Sequence, residues 1–313
     1  MANPKVGGQA VIEGVMIRSP WRISTAVRKS DGRIVVKNQD YVALSKRYKL
    51  LDLPIIRGVM NFFETLLIGI STLNLSANIA LEEAEKLEGK DPSPKHSKNL
   101  ALALTAVFAF ALGMVLFFFF PLYLSNLLGI SKRAFAFNIL TGLIRVTLFL
   151  GYIWGISLFG EFRKVFQYHG AEHKTIYAYE KGQDLNLDNV KTHSTLHPRC
   201  GTSFIFIVLI FAVLFYSVSD SIYYLIYGFP IGIFKRMLFH FMLLPLVAGI
   251  AYELLKLSDL RSQNPLVRLL NAPGLWLQKI TTKEPDGAQL EVGILALENA
   301  IAQKGDLNAG NTK

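Results

Sequence analysis

SFIFIVLIFAVLFYSVSDSIYYLIY, residues 203–227, carries a single charge, Asp220, in an otherwise apolar or hydroxyl-bearing run. A helix in water needs a polar face, and this stretch has none long enough to serve. At about 1.5 Å per residue it can cross a hydrocarbon core of about 30 Å as one helix. Three more blocks read the same way, at roughly 99–128, 134–160 and 235–257. The expected fold is therefore mainly α: a polytopic membrane helix bundle of about four spans, occupying residues 99–257. The whole chain agrees, being 51% hydrophobic and 18% charged with a mean hydropathy of +0.35. Ordinary soluble domains carry about a quarter charged residues.

The formal net charge is +10. Such a balance can serve nucleic acid, but basic residues flanking apolar spans mark the cytoplasmic membrane face. The expected partners are membrane lipids, with a membrane protein or lipid as substrate and no nucleic acid. Lys and Arg number 15 in residues 1–98, 6 in 161–202 and 7 in 256–313, against 2 each in 129–133 and 228–236. The richer segments belong inside, which places both termini and the 161–202 loop in the cytoplasm. Met1 to Pro20 holds no apolar core of the roughly 7–15 residues a signal peptide needs, so insertion is expected to rest on the internal spans. The single cysteine, Cys200, excludes an intramolecular disulfide.

Residues 1–50 read as a small β-rich cytoplasmic region, with strands at Arg22–Lys29 and Arg33–Val42 joined by Asp31-Gly32, a turn pair tolerant of φ > 0. Residues 54–80 are apolar but interrupted by Arg57, Asn61 and Glu64, and predict an interfacial or re-entrant helix. A charged, proline-interrupted linker covers 81–98. The 258–313 tail is expected to be amphipathic and cytoplasmic. Leu266, Leu269, Leu270 and Trp276 suit an interfacial anchor, and Asp286 with Gln289 forms a capping-box start for a last helix.

The chemistry concentrates in the polar loop. Phe166-Gln-Tyr-His169-Gly-Ala-Glu172-His173 places two imidazoles four residues apart, on one face if helical, as a shared metal requires. In the H-x-x-E-H order the histidines ligate zinc and the glutamate is a general base. Neutral imidazoles supply nitrogen ligands, a metal lowers the pKa of bound water, and a nearby carboxylate accepts the water's proton. The bland alternative is a pair of polar residues on an interfacial helix. Twenty residues on stands His193-Ser-Thr-Leu-His197-Pro-Arg-Cys200, a second H-x-x-x-H with a soft ligand beside it. Pro198 disfavours helix at His197, so this pair belongs at a helix end or turn. The third metal ligand comes from His193, His197, Cys200 or Glu253, with His197 and Cys200 favoured because they share the loop. Cys200 could instead be a nucleophile, or an inert small apolar residue.

Arg145, midway along the second span, is either a functional charge paired with Glu64 or a donor to helix carbonyls inside the bundle. His240 is expected to pack far from the metal site. Glu13 is isolated among apolar neighbours, as a functional carboxylate or a strand-edge one.

The strings Gly7-Gly-Gln-Ala-Val-Ile-Glu-Gly-Val-Met16, Tyr168-His-Gly-Ala-Glu-His-Lys-Thr175, His197-Pro-Arg-Cys-Gly-Thr-Ser-Phe204, Glu284-Pro-Asp286 and Gln289-Leu-Glu-Val292 resemble the bacterial membrane family catalogued as domain of unknown function 1385. The resemblance covers nearly the whole chain. It implies a metal-dependent enzyme of the bacterial inner membrane and favours His169, Glu172 and His173, without adding a substrate. The expected function is thus a metal-dependent hydrolase at the cytoplasmic membrane surface, with a divalent metal, zinc or alternatively iron, and Glu172 as catalytic base. Its rivals are a di-iron membrane oxidase or hydroxylase, and a non-enzymatic assembly or scaffold factor with a structural metal.

Overall fold

The computed structural model describes residues 4–87, 95–128, 135–260 and 264–302. Residues 88–94 of the charged linker, the loop around 129–134, residues 261–263 and the tail from 303 lie outside them. The chain is mainly helical, with a small N-terminal antiparallel sheet.

Four strands, β1 (Gly7–Val11), β2 (Gly14–Arg18), β3 (Arg22–Arg28) and β4 (Ile34–Asp40), form a meander in the order β1-β2-β3-β4. Gly32 takes φ +85° at the expected β3–β4 turn. The β1–β2 turn, which the sequence reading did not find, puts Glu13 at φ 51°, a left-handed conformation uncommon for any residue but glycine. Alternation along the strands divides the sheet into two apolar faces. Eleven α-helices follow among the described residues: α1 (Leu44–Arg47), α2 (Ile56–Leu87), α3 (Lys95–Met114), α4 (Phe120–Leu127), α5 (Phe135–Ile156), α6 (Gly160–Glu180), α7 (Leu187–Lys191), α8 (Gly201–Tyr227), α9 (Ile233–Leu260), α10 (Pro265–Thr281) and α11 (Gly287–Ile301). Val15, Ile17 and Ala26 pack on Tyr168 and Ile176 of α6 and on Val292, Ala296 and Leu297 of α11. Val11, Met16, Ile23 and Val27, on the opposite face, pack on Ile68 and Ile79 of α2.

Among the described residues, five helical segments are long and apolar enough to cross a membrane: Ile56–Leu87, Ala103–Leu127, Phe135–Ile156, Gly201–Tyr227 and Ile233–Lys256. The first of these, α2, is one unbroken helix, and several of its polar residues have partners on other elements. Arg57 forks onto Glu253 of α9, with Nε–Oε1 at 2.7 Å and NH2–Oε2 at 2.5 Å. One residue on, a Cβ at Gly58 would lie 2.6 Å from the Gly249 carbonyl oxygen, so only glycine allows this helix crossing. Further along, α2 belongs to the sheet. Glu64 accepts from Leu44 N at 3.2 Å, Ser76 Oγ accepts from Ile12 N at 3.2 Å, and Glu83 pairs with Lys29 at 3.2 Å.

Glu64 is accordingly not the partner of Arg145. Instead Arg145 Nε donates to the Phe117 carbonyl at 2.8 Å. Pro121 lies four residues after Phe117 and has no N–H to return, so that carbonyl would otherwise be orphaned. A π-helical turn, Val115–Phe119, joins α3 to α4 at this place. Near the other end of α8, His240 Nε2 donates to Asp220 Oδ1 at 3.0 Å and its ring stacks on Tyr216, with Arg236 on the second carboxylate oxygen at 2.9 Å. Gly228, at φ +72°, ends α8.

Candidate metal centre

The segment expected as a polar loop begins with the 21-residue helix α6, which carries the H-x-x-E-H string through its middle. His169 and His173 lie on one face, with ring centroids 4.4 Å apart. Cys200 caps the N-terminus of α8, its Sγ accepting from Thr202 N at 3.4 Å. One ligand atom from each of His169, His173 and Cys200 falls within 4.8 Å of the other two, and all three residues are buried. Among the described residues this is the group that could hold a metal ion.

Backbone carbonyls fix the imidazoles. His169 Nδ1 lies 2.8 Å from the Thr281 carbonyl oxygen, and His173 Nδ1 lies 2.5 Å from that of Thr195. A carbonyl only accepts, so both Nδ1 atoms carry the hydrogen and, in the neutral ring, both Nε2 atoms present lone pairs. His169 Nε2 faces Cys200 Sγ at 3.1 Å, while His173 Nε2 is buried with no hydrogen-bond partner. Burial, followed by the neighbouring His169, pushes the His173 pKa down, which keeps its ring neutral.

Glu172 completes the cluster, its Oε2 standing 3.9 Å from both Nε2 atoms. Burial raises its pKa, opposed by His169 and then His197. Its other oxygen lies under β1: a Cβ on Gly8 would sit 2.8 Å from Oε1 and 2.7 Å from Cγ. Gly170 has a similar reason to be glycine inside a helix. A Cβ there would overlap the Lys283 carbonyl oxygen, in the segment that supplies the Thr281 carbonyl.

Of the other expected ligands, His197 lies beside the centre, its ring centroid 5.6 Å from that of His173. Both of its nitrogens are engaged, Nε2 with Glu180 at 3.4 Å and Nδ1 accepting from Arg199 N at 3.3 Å. His193 Nε2 meets Gln183 Oε1 at 2.6 Å. Glu253 is committed to Arg57 and stands outside the group, as does His240. Glu13 is drawn into the α6 interface, bonding Tyr168 Oη and Lys164 Nζ, each at 3.3 Å.

Several residues that the sequence reading passed over build the surroundings. Gln278 of α10 clamps the loop by accepting from His197 N at 2.7 Å and donating to His197 O and Ser203 Oγ at 2.8 Å each. Lys174, buried directly after the motif, donates to Lys191 O at 2.8 Å and pairs with Glu284. Asp286 and Gln289 form the expected capping box at the start of α11.

A family model described as "Protein of unknown function (DUF1385)" matches residues 53–303. The chain belongs to this family. The matched span holds His169, Glu172, His173 and Cys200, whereas β1 with Gly8 precedes it. "Uncharacterized protein YqhQ" of Bacillus subtilis (strain 168) is 35% identical over 304 residues, covering 93% of this chain and 90% of the relative. No solved structure matches.

Proposed function

We propose that this protein is a metal-dependent hydrolase of the bacterial cytoplasmic membrane, holding a divalent metal, best zinc, on His169, His173 and Cys200. One observation carries the reading: two buried imidazoles, each donating Nδ1–H to a backbone carbonyl, turn their Nε2 atoms toward a common sulfur. Metal-ligating histidines are oriented by such carbonyl acceptors, which fix the tautomer and raise ligand basicity. The unpartnered Nε2 of His173 is otherwise a buried acceptor left unsatisfied, at about 1–3 kcal/mol.

Two nitrogens and a thiolate suit zinc, and three protein ligands leave a position for water. A bound metal would supply a water acidic enough to lose its proton near neutral pH. Glu172, facing both Nε2 atoms without displacing either from Cys200, would accept that proton and return it to the leaving group. The buried carboxylate must be ionised for this, and a nearby cation offsets the burial that now raises its pKa. The engaged nitrogens of His197 favour one metal over a di-iron pair.

The same reading gives four spans with both termini cytoplasmic. The second half of α2 lies against the sheet, and that sheet also packs on α6 and α11. A helix held there does not cross, leaving the four later apolar helices to do so.

Plasma mass spectrometry of the purified protein tests the centre. Close to one zinc per chain is expected, retained in Glu172→Gln and lost in His169→Ala and Cys200→Ser. Full metal in the last two variants would overturn the ligand set. Metal loss in Glu172→Gln would make Glu172 a ligand rather than a base.

A further inference from the structure

β1 is an edge strand, and the hydrogen-bond phase of the sheet shows which of its groups face outward. Arg28 N donates to Glu13 O, and Ser19 N to Arg22 O, each at 2.8 Å, bracketing the β2–β3 register from Gly14↔Val27 to Arg18↔Ile23. Bonded pairs alternate in an antiparallel ladder, so Val15 and Ile17 also bond to β3. Gly14, Met16 and Arg18 then bond to Val11, Gln9 and Gly7 of β1. This leaves the N–H and C=O groups of Gly8 and Ala10 on the outer edge. Among the described residues, none of these four groups has a hydrogen-bond partner.

Natural sheet edges are guarded by prolines, lysines, inward charges or bulges. Gly7-Gly-Gln-Ala-Val11 has none of these, and Gly7 to Ala10 are partly exposed. The side chains that could lean over the edge are absent at Gly8 and a methyl at Ala10. Gly8 is also the residue whose Cβ would collide with Glu172 Oε1. An unguarded edge and the carboxylate facing the two imidazoles therefore meet at one position.

We propose that the outer edge of β1 docks an extended polypeptide, and that the substrate of the neighbouring site is a peptide bond within it. This rests on the hydrolase reading above. Donor and acceptor pairs on alternate residues, about 6.6–6.8 Å apart, match the repeat of another strand. A helix or a lipid chain has no such repeat. In the reaction, the water oxygen bonds the scissile carbonyl carbon while its proton passes to the Glu172 carboxylate. The C–N bond then breaks, and Glu172 returns the proton to the departing nitrogen, leaving an amine and a carboxylic acid that keeps the water's second proton. Recognition through the main chain tolerates many sequences, so an unfolded protein is a sufficient probe.

The experiment uses the full chain in nanodiscs with its metal, and fluorescein-labelled β-casein as the probe. Casein should slow amide exchange at residues 7–10 and be cleaved. Ala10→Pro deletes one outward N–H without touching the β1–β2 ladder. It should weaken casein binding about tenfold, the worth of one good hydrogen bond, at unchanged metal content. Glu172→Gln should keep the protection and lose the cleavage. Cleavage that Ala10→Pro leaves unaltered, without protection of 7–10, refutes the docking edge and spares the hydrolase. Protection without cleavage by the metal-loaded wild type keeps the docking edge and refutes the hydrolase. Neither protection nor cleavage refutes the proposal. So does protection that needs only higher protein concentration, since the edge then pairs with a second copy. If Ala10→Pro does not fold, casein-dependent exchange in the wild type and in Glu172→Gln decides alone.

Discussion

Gly170→Ala turns the closest approach in the site into a measurable loss. Gly170 sits in the middle of α6, where alanine would ordinarily stabilise a helix by about 1 kcal/mol. Here its methyl would overlap the Lys283 carbonyl oxygen, with the carbonyl carbon 3.3 Å away and Thr195 Cγ2 at 3.2 Å. Lys283 cannot swing aside freely, because its N–H is bonded to Phe166 O at 2.9 Å on the same helix. The strand of chain from Thr281 to Glu284 must instead retreat by about 1 Å to regain an ordinary van der Waals separation. That carries the Thr281 carbonyl from 2.8 Å to beyond hydrogen-bond reach of His169 Nδ1. Overpacking of this kind costs about 1–3 kcal/mol, and the lost hydrogen bond about 0.5–1.5 kcal/mol more. After the helix-propensity gain, about 0.5–3.5 kcal/mol of destabilisation remains. His169 loses its orientation as well, which should weaken zinc binding about 10–100-fold. Thermal unfolding in detergent and zinc competition with a chelator measure the two effects. Gly160→Ala is the control, since a Cβ at that end of α6 meets nothing within 4 Å. Gly170→Ala matching this control in both assays would refute the account of the α6 contact.

Gln278→Ala should destabilise by about 1–3 kcal/mol in thermal melts, because it strands the buried N–H of His197 and leaves its carbonyl only the 3.3 Å bond from Cys200 N; no shift in melting would mean that water replaces the clamp. Arg145→Met should cost less in a Pro121→Ala background, where residue 121 returns an N–H to the Phe117 carbonyl. A double-mutant cycle should show about 0.5–1.5 kcal/mol of coupling, and strict additivity would dissociate the arginine from the proline. Cysteines introduced in a Cys200→Ser background at Ala84 and Asp184 should label from one side of the membrane, and a cysteine at Pro230 from the other. Labelling of Ala84→Cys with the Pro230→Cys pattern would show that α2 crosses.

The long apolar helices, the β3–β4 turn, the last helix's capping box and the pairing of His169 with His173 were legible because each is written in residue type at short spacing. Runs of apolar residues, Asp31-Gly32 and an i,i+4 repeat announce themselves. The β1–β2 hairpin was not legible, since Gly7-Gly8 has low strand propensity and the turn uses Glu13 instead of the expected asparagine-glycine pair. Long-range partners were hidden for another reason. The acceptors that orient the two histidines are main-chain oxygens of Thr195 and Thr281, and any residue carries one. Glu253 looked available as a ligand because Arg57, which neutralises it, is 196 positions away. Gly170 is unfavourable inside a helix by propensity alone, and its reason lies in the distant Lys283 carbonyl pressed against it.

The three-layer arrangement of the sheet between α2 and α6 with α11 sets a timetable for the molecule. Gly8 is made before His169 and His173, and these before the Thr281 carbonyl. Synthesis proceeds from the N-terminus at about 5–20 residues per second, so the sheet emerges long before the helices that cover its α6 face. During that interval Val15, Ile17 and Ala26 have no partner, and β1 presents its bare edge to the same surroundings. The two histidines acquire their full orientation only after the last apolar helix has been made and α10 has returned to the loop. Under the proposed function, metal capture would be a late event in biogenesis, and a truncated or half-inserted chain would have the proposed ligand residues without the geometry to use them.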